Sequence, residues 1–405
     1  MGVLLWLRLL RSGILAQWLR FGLYHQRGLD FIDPACTTGF CDYTMFWLAG
    51  HFALQGHAAL VYDHARYVAM AASILPYKTG YWPFIYPPVI FDFALWCARL
   101  PLAAGYYLFC LVSTALAVCL LRGAKIPWWC IAVGLLSPMA MWNLYLGQLG
   151  LLCGACLVFG LCALPARPYL AGAVLGLLCL KPQYALLVPF AVLAGGYWRA
   201  VVSGGAVVVL CIVASLLVAG KDAWAGYWGP GRAAMAGLMD HSFGTGPEDG
   251  ATSLFWMLRG LHVALPLAYG VQIGGFMLAA GWCWRLWRAA APRRVMLTVL
   301  LSYLASPYGY NDDLAIFAVL VPMRAGWHTP WRNAALAWLY LLPAYVPRLA
   351  AATGLMPTPL FIMAVLGLAL HDGSRRLGFS ARHEDGTGPQ EERAAGGRDH
   401  GIIGG

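Results

Sequence analysis

Charged side chains are what this sequence has least of. Asp, Glu, Lys and Arg make up 11% of its 405 residues, where soluble domains carry roughly a quarter. The last 35 residues, 371–405, hold 11 of the 44 charges and leave 33 for the first 370 positions. So few cannot cover a water-facing surface, which excludes an assembly of soluble domains. Motifs are missing too. There is no H-E-x-x-H and no G-x-x-x-x-G-K-[ST], and His51, His57 and His64 stand off the spacings that place two ligands on one helix face. Neither a metal nor a cofactor is expected. Most of the 12 cysteines, Cys153 and Cys156 among them, fall in apolar runs and read as small packing residues. Cys36 and Cys41 alone fall where an oxidising compartment could join them.

What is abundant is apolar. Hydrophobic residues make up 61% of the chain and the mean hydropathy is +0.67. A helix crossing hydrocarbon needs about 20 mostly apolar residues. The runs 104–121, 127–143, 148–164, 200–220 and 262–284 are clean candidates. Shorter runs near 86–100, 168–181, 183–196, 294–305, 313–323, 333–346 and 357–370 are broken by proline or charge. Long runs such as 206–220 do not alternate, which excludes a β-barrel. The expected fold is an all-α polytopic membrane protein with about 12 transmembrane helices.

The net charge of +10 is arranged as the positive-inside rule requires. Arg122, Lys125, Arg167, Arg199, Arg285, Arg288, Arg324 and Arg375 mark cytoplasmic connections. Their contact with anionic lipid explains the basic balance, and no nucleic acid is needed. The connections 143–148, 181–183, 221–253 and 306–313 then face outside. With 25–85 outside as well, 86–121 must cross an odd number of times although it reads as two helices. Either 86–100 is a partial or re-entrant element, or one loop breaks the rule. Residues 1–24 carry Arg8, Arg11 and Arg20 and read as a degenerate or truncated first transmembrane helix. Residues 86–370 form the bundle, and 371–405 read as a disordered cytoplasmic tail.

The 25–85 segment is the longest between spans, and it is not linker-like. DYTMFWLAGHFALQG (42–56) puts Phe46, Gly50, Ala53 and Leu54 at helical spacing, and HARYVAMAASIL (64–75) does similarly. Two amphipathic helices on the membrane surface are expected, joined at Gly56 and the Leu60–Asp63 turn. Tyr77, Tyr81, Trp82, Phe84 and Tyr86 follow, as in an interfacial aromatic belt. Asp42 opens the first helix, where the helix dipole favours a carboxylate. It reads either as a first-turn acid or as a general base at the membrane surface. Asp30 and Asp33 lie in a looser stretch and read as solvated.

In order, D-Y-T-M-F-W-L-A-G (42–50), L-V-Y-D (60–63), F-I-Y-P-P (84–88) and L-Y-L-G-Q-L-G-L-L (144–152) resemble glycosyltransferase family 87. So do L-A-G-A-V-L-G-L-L-C-L-K-P-Q (170–183), Y-W-R-A (197–200) and A-S-P-Y-G-Y-N-D-D-L (305–314). The resemblance covers about residues 42–370 and rests on order and spacing rather than any single piece. It implies a GT-C fold with a large first external loop, in the bacterial plasma membrane, the active site facing the periplasm. It also implies a polyprenyl-phosphate sugar donor, mannose foremost, a glycolipid or glycan acceptor, and Asp42 as the catalytic base.

The remaining polar residues each admit two readings. Lys181, in K-P-Q between two apolar runs, is a donor-phosphate candidate or a snorkelling side chain. Arg232 is a second candidate for the donor phosphate, or a solvated loop charge. Tyr86, Asn143, Gln148 and Asp313 are candidates for substrate contact. For Asn143 and Gln148 the alternative is interhelical hydrogen bonding; for Asp312 and Asp313 it is a helix-start acid. Asp92 could pair with Arg99. The rival to an inverting hexosyltransferase is a transporter or flippase, or an inactive relative.

Overall fold

The computed structural model describes residues 41–75, 83–241, 251–291, 293–324 and 346–371, with Leu336, Tyr340 and Leu341. The expected first helix, Asp30, Asp33, Cys36, Tyr77, Tyr81, Trp82 and the tail beyond 371 lie outside these residues, as does any pairing of Cys36 with Cys41. The described chain is all-α. Its first half contains α1 (Cys41–Leu54), α2 (His64–Ile74), α3 (Phe91–Ala98), α4 (Leu102–Gly123), α5 (Trp128–Leu135), α6 (Pro138–Leu146), α7 (Gly150–Ala163) and α8 (Pro168–Gly176). Then follow α9 (Val188–Ala194), α10 (Trp198–Gly226), α11 (Arg232–Asp240), α12 (Leu254–Gly260), α13 (Leu265–Arg288), α14 (Arg294–Ala305), α15 (Ala315–Leu320), α16 (Val346–Thr353) and α17 (Thr358–His371).

Two described helices are long and apolar enough to cross a membrane: α4, and the stretch Trp198–Asp240 that begins with α10. The α5–α6 pair, bent by 60°, makes a third if counted as one span. The other apolar helices are shorter, so about 12 full-length spans are not reached among the described residues. The reason is in the sequence: Ser137–Pro138 breaks one run, and Lys181–Pro182 breaks 168–194 into α8, two 3₁₀ turns and α9. Proline removes a donor and clashes with the preceding turn. The 86–100 segment is likewise a partial element. Pro88–Ala98 spans roughly 16 Å at 1.5 Å per residue, half the ~30 Å of hydrocarbon, a length that suits the partial-element alternative.

Two further expectations are corrected. α1 is not an amphipathic surface helix: Tyr43, Met45, Phe46, Trp47, Leu48, Ala49 and Phe52 are all buried. The expected apolar stripe is present, but the other face is apolar too, and such a helix belongs inside. Gly50 lets α1 lie directly on α3, because a Cβ there would collide with the Ala94 carbonyl and the Ala98 side chain. α2 does alternate buried Tyr67 and Ala71 with exposed neighbours. The 221–253 connection, for its part, is largely helical up to Asp240. Gly220, at φ 75° and ψ 169°, redirects α10 and the helix resumes beyond it. α8 and α10 pack through Gly172 and Gly176 against Ala200 and Gly204, small residues that allow backbone approach where apolar lipid offers no hydrophobic drive.

Candidate active site

The site is built where α1, the F-I-Y-P-P segment and the α6–α7 turn meet. Asp42 lies in the first turn of α1, half-buried. Its Oδ2 accepts a hydrogen bond from Gln148 Nε2 at 3.0 Å. The same nitrogen lies 3.0 Å from the Tyr86 hydroxyl, and Gln148 Oε1 lies 3.2 Å from it. Oε1 also accepts from the Leu149 N–H at 3.3 Å, which orients the amide so that its donor end faces the carboxylate. Tyr86 is held in turn by the Tyr62 hydroxyl, which donates to its carbonyl at 2.8 Å, and by Phe46, edge-on to its ring at 4.9 Å. Burial pushes the Asp42 carboxyl above its ordinary range, and the Gln148 bond and then the Lys181 charge pull it part of the way back.

The turn carrying Gln148 depends on Gly147, which sits in the left-handed region at φ 66°, ψ 45°. Asn143 closes it. In the amide orientation that satisfies both ends, Asn143 Nδ2 donates to the Gln148 carbonyl at 3.1 Å and Oδ1 accepts from Gly150 N–H at 3.0 Å. Buried and fully engaged there, Asn143 positions the turn.

The rest of the cluster comes from the K-P-Q break and from the 3₁₀ turn Asn311–Leu314. Lys181 is buried, and its Nζ lies 2.5 Å from Asp313 Oδ1 and 3.9 Å from Asp312 Oδ2. Asp313 is engaged on every side. Its Oδ2 accepts from the Tyr310 N–H at 3.2 Å, and its carbonyl accepts from the hydroxyls of Tyr303 at 2.8 Å and Tyr184 at 3.2 Å. Asp312 is pushed well above the usual carboxylate range by burial and then by Asp313, with Lys181 opposing. Lysine offers three N–H donors, so holding Asp313 leaves capacity for an incoming anion.

Asp42, Tyr86, Asn143, Gln148, Lys181 and Asp313 are thus brought to one cluster. Arg232 is exposed at the start of α11 and forms no ion pair among the described residues. Asp92 does not pair with Arg99. Seven residues apart, their Cα atoms are separated by roughly 10 Å along a helix; the Arg99 guanidinium stacks over Trp96 at 4.9 Å instead. Tyr184 and Tyr303 escaped the sequence reading, although a tyrosine inside an apolar run is itself a sign of a buried hydrogen bond. Among the described residues no three His, Cys, Asp or Glu side chains converge closely enough to hold a metal ion.

The profile of glycosyltransferase family 87 matches residues 84–307, more than half of the chain. The chain belongs to glycosyltransferase family 87. It is a glycosyltransferase, which sets the transporter reading aside. The matched segment includes Tyr86, Asn143, Gln148, Lys181 and Arg232, whereas Asp42 precedes it and Asp312 and Asp313 follow it. No curated protein and no solved structure matches the chain.

Proposed function

We propose that this family member transfers a hexose, mannose foremost, from a polyprenyl-phosphate donor to a hydroxyl of a glycolipid or envelope glycan. The reaction is a single inverting displacement at the periplasmic face of a bacterial plasma membrane. Asp42 takes the proton of the acceptor hydroxyl as its oxygen attacks the anomeric carbon. The bond from that carbon to the phosphate oxygen breaks, and polyprenyl phosphate departs. Lys181 meets the charge that develops on the leaving oxygen, where a fixed cation in a water-poor site is most effective. Asp313 aims Lys181 and so acts as a positioning residue. Gln148 and Tyr86 hold the Asp42 carboxylate in one orientation.

The observation that carries this reading is the convergence of Asp42 and Lys181, far apart in sequence but close enough for the lysine charge to act on the Asp42 carboxyl. The test is an in-membrane transfer assay with labelled polyprenyl-phosphate sugars. Asp42→Asn is expected to lower transfer about 10²–10⁴-fold with unchanged membrane insertion. Full activity in that variant removes Asp42 as base, and an inactive relative would use no donor at all.

A further inference from the structure

The turn Asn311–Leu314 carries polar atoms that the cluster leaves unused. Asn311 and Asp312 are 6% and 5% exposed. Neither Nδ2 nor Oδ1 of Asn311, nor Oδ2 of Asp312, has a hydrogen-bond partner among the described residues. At 3.9 Å, Lys181 is too far from that Asp312 oxygen to bond it. Buried polar groups are overwhelmingly paired, and an unpaired one carries a desolvation cost that calls for a reason. Asp313, the next residue, shows the contrast, since both of its carboxylate oxygens and its carbonyl are engaged.

We propose that Asn311 and Asp312 form a subsite for hydroxyl groups of the sugar being transferred. The inference rests on the functional reading above and extends it to the sugar. Three features of this turn select the ligand chemistry. An amide offers a donor and an acceptor on one side chain, which suits a hydroxyl that both gives and takes a hydrogen bond. The unpaired Asp312 oxygen takes a proton donor such as a sugar hydroxyl, which an ionised phosphate does not offer, so the sugar and phosphate ends of one donor are told apart. A phosphate resting on Lys181 also brings the sugar it carries next to Asp312. Asp312 therefore recognises the sugar while Asp313 holds the lysine.

The experiment measures binding to the full-length protein in detergent or nanodiscs. The probes are bare polyprenyl phosphate and the same lipid bearing mannose, glucose or galactose. Wild type is expected to bind its preferred sugar lipid about tenfold or more tighter than the bare lipid. Asp312→Asn and Asn311→Ala should each cut that margin at least threefold, on the order of one lost hydrogen bond, and leave bare-lipid affinity unchanged. Lys181→Ala should weaken both lipids together. Monodeoxy sugar lipids add a test on wild type that no folding defect can obscure, because removal of the contacted hydroxyl should erase most of the margin. Variants that keep the full margin and bind the bare lipid normally overturn the subsite, as does a wild type indifferent to every deoxygenation. A wild type that binds neither lipid overturns the functional reading itself, and the subsite with it.

Discussion

Asp42 and Asp313 are both aspartates of one cluster, and they are held in opposite ways. Asp42 is half-buried, and among the described residues its carboxylate accepts one hydrogen bond, from Gln148. Asp313 is buried, ion-paired to Lys181, bonded to the Tyr310 N–H, and anchored at its carbonyl by two tyrosines. A base must be able to change its protonation state and meet a substrate. A carboxylate tied down on all sides can do neither, but it can fix a neighbouring cation. The difference assigns the reacting role to Asp42 and the architectural role to Asp313.

The largest test of that division sets the two aspartates side by side. Asp313→Ala strands the Lys181 ammonium in a buried site, and removing one partner of a buried pair costs about 3–5 kcal/mol. Thermal unfolding in detergent should show that loss. Asp42→Asn should not, since it exchanges a desolvated carboxylate for a neutral isostere while transfer collapses. Equal stability losses in the two variants would dissolve the distinction.

A smaller effect is expected at the turn that delivers Gln148 to Asp42. Gly147→Ala forces a side chain into the left-handed region, and a Cβ there lies 2.5 Å from Tyr43 Cβ and 3.3 Å from the Tyr106 ring. Strain of this kind costs on the order of 1–3 kcal/mol. The variant should lose that much stability and also part of its activity, because Asn143 and Gln148 sit on the same turn. Gly196→Ala is the control. Gly196 shares the positive φ, at 71°, but nothing lies within 4 Å of its Cβ, so it should lose stability through backbone strain alone and keep its activity per folded molecule.

How much of this was legible in the sequence follows from which forces are local. The all-α class, the K-P-Q break, the sharp turn at Gly147 and the position of Asp42 at a helix start all depend on neighbouring residues, and all could be read. The Lys181–Asp313 pair could not. Its partners come from different segments, and nothing in apolar periodicity says which broken helix faces which. The sequence therefore offers Lys181 and Asp313 as separate candidates for substrate contact, whereas the lysine's first partner is the aspartate. α1 misled for a different reason. Spacing reports that one face is apolar but not what covers the other, so a helix enclosed by α3 and α4 passes for one lying on lipid.

The finest test concerns the hydrogen bond from Gln148 to Asp42. Burial raises the Asp42 carboxyl and the Gln148 bond lowers it, so the acid limb of the transfer rate lies above the ordinary carboxylate range. The rate should fall as pH drops through that raised value, because the base must be ionised to accept a proton. Gln148→Leu keeps the burial and removes the opposing bond, which moves the acid limb to higher pH. The linked stability has the opposite sense. A carboxyl that holds its proton more tightly when folded stabilises the fold below its unfolded pKa, and that contribution is lost as pH rises through the folded value. With Gln148→Leu the window of loss should extend to higher pH, in step with the rate limb. Transfer at the alkaline plateau should change only a few-fold, since Asp42 is still present and ionised there. A limb that stays in place while the plateau collapses would mean that Gln148 contacts substrate, and that the Asp42 carboxylate owes its ionisation to Lys181 instead.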